Sequence, residues 1–81
     1  MPTVLRKGGF RFYFYSNDRG EPRHVHVDGN SSSAKFWLDP VTPARNLGFA
    51  PHEFRRVMTL VEEHRDEFRE AWDEHFGPRS R

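Results

Sequence analysis

Two histidines separated by one residue, His24 and His26, are the side chains of this sequence best suited to chemistry. Imidazole takes and gives protons near neutral pH because its unperturbed pKa lies there. On a strand, positions i and i+2 share a face about 7 Å apart. At that spacing one ring can serve as base and the other as acid across a phosphodiester. Asp28, two residues further on, has the same parity and would orient one imidazole. The face these three occupy also takes Arg11, Tyr13, Tyr15, Lys35 and Trp37. Flat rings stack on bases at about 1–3 kcal/mol each, and cations meet phosphates. The pattern suits single-stranded RNA or a nucleotide-like ligand. Arg11, Tyr13, Tyr15, Lys35 and Trp37 would bind it, and His24 and His26 would carry the catalysis.

Plainer readings fit the same residues. Tyr13, Tyr15 and Trp37 make ordinary cross-strand pairs on a half-exposed sheet. Tyr, Trp and Arg are also enriched where one protein packs on another. A His-x-His pair can present two imidazoles to one ion, with Asp28 as a third ligand. No cluster elsewhere completes such a set, because His52, His64 and His75 are spread along one long segment. We expect no metal and no cofactor.

The elements that must position these side chains follow from periodicity. The first forty residues have period two and the last thirty a period near 3.6, the pattern of strands followed by a helix. Thr3 to Arg6 reads as a strand. Lys7-Gly8-Gly9-Phe10 reads as a tight hairpin, since two glycines supply the positive φ such turns require. Phe10 to Tyr15 alternates cleanly, residues 16–22 are turn chemistry, and His24 to Asp28 and Ala34 to Leu38 are two further strands. Residues 40–50, with two prolines and a glycine, read as loop with one helical turn near Ala44 to Leu47.

From Pro51 to Phe76 the spacing predicts one helix, with proline at its first position and Gly77-Pro78 as its stop. Phe54, Val57, Met58, Val61, Phe68, Trp72 and Phe76 form its apolar stripe. The predicted fold is α+β: a small antiparallel sheet of about four strands with one long C-terminal helix packed on one face. It is a single domain over residues 1–77, with 78–81 as a tail.

A straight helix of that length spans about 39 Å, whereas four strands make a sheet under about 20 Å wide. Phe68, Trp72 and Phe76 should therefore overhang the sheet and anchor a homodimer or a small protein partner. Arg65 falls inside the apolar stripe, which makes it a candidate buried charge. It would need a carboxylate such as Asp28 or Asp39.

Composition narrows the choices. Eighty-one residues allow one domain, and a chain this short buries only about 60% of its unfolded surface. Zero cysteines exclude disulfides and a thiol nucleophile. No apolar run approaches the roughly 20 residues of a membrane span, and the N-terminus lacks a signal peptide's core. We expect a cytoplasmic protein with no membrane association. The net charge of +1 argues against a generic polyanion binder. It hides an asymmetry, because residues 1–61 carry nine cations and five anions while residues 62–75 carry two cations and seven anions. Such a basic sheet end and acidic helix end permit association with a partner.

Several segments resemble a small bacterial family, the domain of unknown function numbered 4160. They are Met1-Pro2-Thr3-Val4-Leu5, Gly9-Phe10-Arg11-Phe12-Tyr13-Phe14-Tyr15-Ser16-Asn17, His24-Val25-His26-Val27 and Ala34-Lys35-Phe36-Trp37-Leu38. Asn46-Leu47-Gly48-Phe49, Glu70-Ala71-Trp72 and Phe76-Gly77 join them. The resemblance implies a free-standing bacterial or phage-borne protein, encoded beside a second small protein in a toxin–antitoxin-like pair. Small toxins of such pairs are frequently ribonucleases. It places His24 and His26 in a Pro-His-Val-His-like segment, from which this chain departs by inserting Arg23 after Pro22. Ala50 stands where a capping serine is usual, a weaker cap by about 1 kcal/mol. The resulting expectation is a toxin–antitoxin-like component acting on RNA, a metal-independent ribonuclease using the histidine pair. The alternative is a non-catalytic interaction module, inhibitor-like or antitoxin-like. It would dock a partner or self-associate through the open sheet face or the C-terminal helix.

Overall fold

Antiparallel neighbours joined by short turns place the strands side by side in the order they occur along the chain. A computed structural model of the protein describes residues 3–16 and 18–77. Met1, Pro2, Asn17 and the predicted tail at 78–81 lie outside the described residues. The strands are β1 (Thr3–Lys7), β2 (Phe10–Tyr13), β3 (His24–Gly29), β4 (Ser32–Leu38) and β5 (Val41–Leu47). All pair antiparallel, in the sheet order β1-β2-β3-β4-β5. A single 3-10 turn, Asp18–Gly20, interrupts the connection from β2 to β3. Two helices follow, α1 (Pro51–Glu63) and α2 (Arg65–Phe76). The fold is α+β with an antiparallel sheet, as the periodicity predicts.

Two details differ from expectation. Residues 41–47 form a fifth strand rather than a loop with a helical turn. It is an edge strand exposed from Thr42 to Leu47, so it has no buried face to impose alternation on its sequence. Its Pro43 sits beside a register irregularity between Lys35 and Phe36, the setting in which a strand tolerates proline. The predicted single helix is also two. At His64 (φ −110°, ψ 17°) the backbone leaves helical geometry, yet His64 N still donates to Leu60 O and Phe68 N to His64 O. No proline or glycine marks the spot. The His64 side chain instead bonds Glu67 and Lys7, and the bend keeps α2 on the sheet.

That bend overturns the overhang. Phe68 and Trp72 are buried in the chain's own core, and Phe76 is half-buried against Trp72 at 4.3 Å between ring centres. None of the three stands out as an interface anchor. The core between sheet and helices also holds Phe12, Val25, Val27, Phe36, Leu38, Val57 and Val61, all fully buried. Phe12 stacks on Phe68 and Phe36 on Phe54. Gly29 makes room for the edge-to-face pair of Phe10 and Phe49, because a Cβ there would lie 2.6 Å from the Phe10 ring. Gly8 and Gly9, both with positive φ, make the predicted β1–β2 turn. Among the described residues, no helix is long and apolar enough to cross a membrane.

Candidate functional site

Register decides which side chains can meet. Directly paired residues share a face, and the pairs are Arg11 with Asp28, Tyr13 with His26, His26 with Lys35, and His24 with Trp37. The strands therefore collect both histidines, Asp28, Tyr13, Arg11, Lys35 and Trp37 on the side away from the core phenylalanines. That face is not open. The β2–β3 connection folds back over it and delivers Asp18, which the sequence pattern reads only as a turn residue.

Asp18 is 8% exposed and one of its oxygens gathers three nitrogens. Asp18 Oδ2 accepts the Tyr15 backbone N–H at 2.9 Å and the His26 Nε2–H at 3.0 Å, and it lies 3.0 Å from Nε2 of His24. The two imidazole planes are perpendicular, with centres 4.9 Å apart. Burial by itself would raise the Asp18 pKa. The Tyr15 N–H and the neighbouring imidazoles outweigh it and hold the carboxyl below its ordinary range. Burial lowers the pKa of His26, and Asp18 only partly opposes this.

His24 is fully buried, between Trp72 at 4.9 Å and Trp37 at 5.7 Å between ring centres. Its Nδ1 donates to Pro22 O at 2.9 Å. Its Nε2 lies close to Asp18 Oδ2 but off the line a hydrogen bond needs, and no partner satisfies it. His24 thus has no route to a substrate in this arrangement. The pair cannot work as acid and base on either side of a phosphodiester, although its parity is as predicted.

Asp28 orients neither imidazole. It accepts the Tyr13 hydroxyl at 2.9 Å and pairs with Arg11 at 3.4 Å. Tyr13 is 4% exposed, stacked beside His26 and capped by Arg11 at 4.4 Å from its ring centre. Burial and the bonds from Tyr15 and Asp28 raise its pKa well above the usual phenol value.

A family model described as Domain of unknown function (DUF4160) matches residues 9–73. The chain belongs to this family. No curated protein and no solved structure matches it. The matched span of this DUF4160 chain includes Asp18, both early histidines and the strands that hold them.

The remaining predicted positions divide. Tyr15 is exposed (42%) and half-covers His26, with ring centres 4.7 Å apart. Lys35 bonds Glu21 at 2.7 Å and lies over the Trp37 ring. Its β5 neighbour Arg45, which the strand parity did not include, is exposed. Tyr13, Tyr15, His26, Lys35 and Arg45 line a small cavity of about 160 Å³. Arg65 is exposed and lies only 3.9 Å from Asp66, so it is not a buried charge. Arg69, one turn further along α2, is the arginine that reaches the sheet: it pairs with Asp39 at 2.9 Å and donates to Leu38 O. Arg23 completes this ion-pair group by bridging Asp39 and Asp73.

Proposed function

We propose that this DUF4160 protein acts on RNA as one component of a bacterial toxin–antitoxin-like module. The site is the cavity where β5 meets the β2–β3 connection. One observation carries the reading: His26 lies at a cleft rimmed by an exposed tyrosine and two neighbouring cations, Lys35 and Arg45. In this reading the cations receive phosphate, Tyr15 offers its ring to a base, and His26 supplies the chemistry at the phosphate. Tyr13 and His24 support the site from within. The toxin–antitoxin-like setting comes from the family resemblance and not from the geometry.

Fluorescence anisotropy with a labelled single-stranded RNA tests the binding. Affinity should fall as salt rises, and Arg45→Ala should lower the salt slope by about one phosphate contact. Cleavage of that RNA should disappear in His26→Gln. Salt-independent binding, or full cleavage by His26→Gln, removes the reading.

Strand β5 favours a second reading. It presents an exposed edge from Thr42 to Leu47, and Leu47 is 55% exposed. A protein partner docking along this edge would make the chain an interaction module, with Leu47 as the apolar contact at its end. Loss of partner binding in Leu47→Glu, with RNA binding intact, would select that alternative.

A further inference from the structure

We propose that Asp18, His24 and His26 bind a divalent transition-metal ion of the zinc class. One ligand atom from each residue lies within 4.8 Å of the other two. Two imidazoles and one carboxylate with a fourth position open is the donor set of metal centres that activate water. Nitrogen donors select such an ion over calcium or magnesium, which prefer all-oxygen sites.

The argument turns on His24. Its Nδ1 donates to the Pro22 carbonyl, which leaves Nε2 as the ring atom turned toward Asp18. That nitrogen is fully buried, unsatisfied, and 3.0 Å from a carboxylate oxygen. A buried polar atom with no hydrogen-bond partner is costly. A cation bound between this nitrogen and Asp18 gives it a partner. His24 Nε2 is close to Asp18 but not hydrogen-bonded to it, whereas His26 Nε2 is, so a metal would replace the His26 bond while giving His24 Nε2 its first partner. Tetrahedral zinc places its ligands about 3.4 Å apart, so the two contacts to Asp18 at 3.0 Å need a small opening, while the two histidine nitrogens lie within 4.8 Å of each other. The Nδ1–carbonyl bond is the outer-shell contact that holds metal-binding histidines in one tautomer. The expectation of no metal, drawn from the sequence, missed this set because it sought the third ligand at Asp28 and not in the turn.

This inference shares the His26 cleft with the RNA reading but does not depend on it, because metal binding is measured without RNA. The full chain, freed of metal with a chelator, is titrated with Zn²⁺ by calorimetry. One equivalent should bind, and Asp18→Asn and His26→Gln should each weaken that event about a hundredfold. A triple variant, His52→Ala, His64→Ala and His75→Ala, should keep it. In the unsubstituted protein, Zn²⁺ should move the side-chain ¹⁵N resonances of His24 and His26, a readout that needs no variant to fold. Shifts confined to the three helix histidines, binding lost with the triple variant, or no binding at all would each overturn the site. Those outcomes would leave a proton or a water as the partner of His24. Zinc binding with no RNA affinity would overturn only the function proposed above.

Discussion

On the helix side of the sheet, Phe12, Val25, Val27 and Phe36 are fully buried among rings and aliphatic chains from α1 and α2. One residue along, on the other side of the same strands, His24 and Tyr13 are as deeply buried. Their cover is the β2–β3 connection, the Trp72 and Trp37 rings against His24, and a ring of polar contacts centred on Asp18 and Asp28. An apolar face needs only volume filled, whereas a polar one needs every donor and acceptor matched. The second face comes close to that requirement, and His24 Nε2 is where it falls short. A fold gains nothing from an unmatched buried nitrogen, which is why the exception points to a ligand.

The comparison is tested first where the effect is largest. Phe12 is fully buried and stacked on Phe68 at 5.3 Å between ring centres. Phe12→Ala should cost about 3–5 kcal/mol, from lost transfer energy plus the cavity left behind. In so short a chain that approaches the whole stability. Thermal denaturation followed by circular dichroism should lose its cooperative transition. A sharp, barely shifted melt would mean that the apolar face is not the main source of stability.

Asp18→Asn tests the polar face and should cost less, about 1–3 kcal/mol in the presence of chelator near neutral pH. The amide keeps the shape but loses the charge that both imidazoles face. Because the Asp18 pKa is held below its ordinary value, its contribution is present above that value. It disappears as pH falls through the depressed one. Urea midpoints of the two proteins should therefore converge on acidification. A gap that persists into strong acid would assign the loss to geometry and not to charge.

The alternation of Phe10 to Tyr13 and of His24 to Asp28 announced both faces, because side-chain parity is a local property of a strand. Register then followed from short connections, and the two histidines do share a face with Tyr13 and Trp37. Asp18 was not legible. It reaches the histidines through the path of a turn, and turn residues such as Asp and Gly report only that the chain reverses. The bend at His64 was hidden for a related reason. Phe68 and Trp72 continue the stripe of α1 in phase, so periodicity cannot separate one long helix from two joined at a bend. Whether His24 is exposed depended on what covered the second face, and no strand pattern carries that information.

The smallest effect sharpens the comparison most, because it isolates one hydroxyl. Tyr13 donates to Asp28 at 2.9 Å, and Asp28 also holds Arg11. Tyr13→Phe should cost only about 1 kcal/mol at neutral pH, since the half-exposed carboxylate keeps its cation and reaches water. The pH dependence is more telling. Burial raises the Tyr13 pKa in the folded state above its usual value near 10. The folded protein then retains a proton that the unfolded chain has released. The stabilisation from this hydroxyl is complete below about pH 10 and is lost as pH climbs toward the folded value. Urea denaturation of both proteins at about pH 8 and at about pH 11 should show the wild-type advantage shrinking with alkalinity. If the two midpoints keep a constant separation, Tyr13 is hydrated in solution and the connection does not seal the second face.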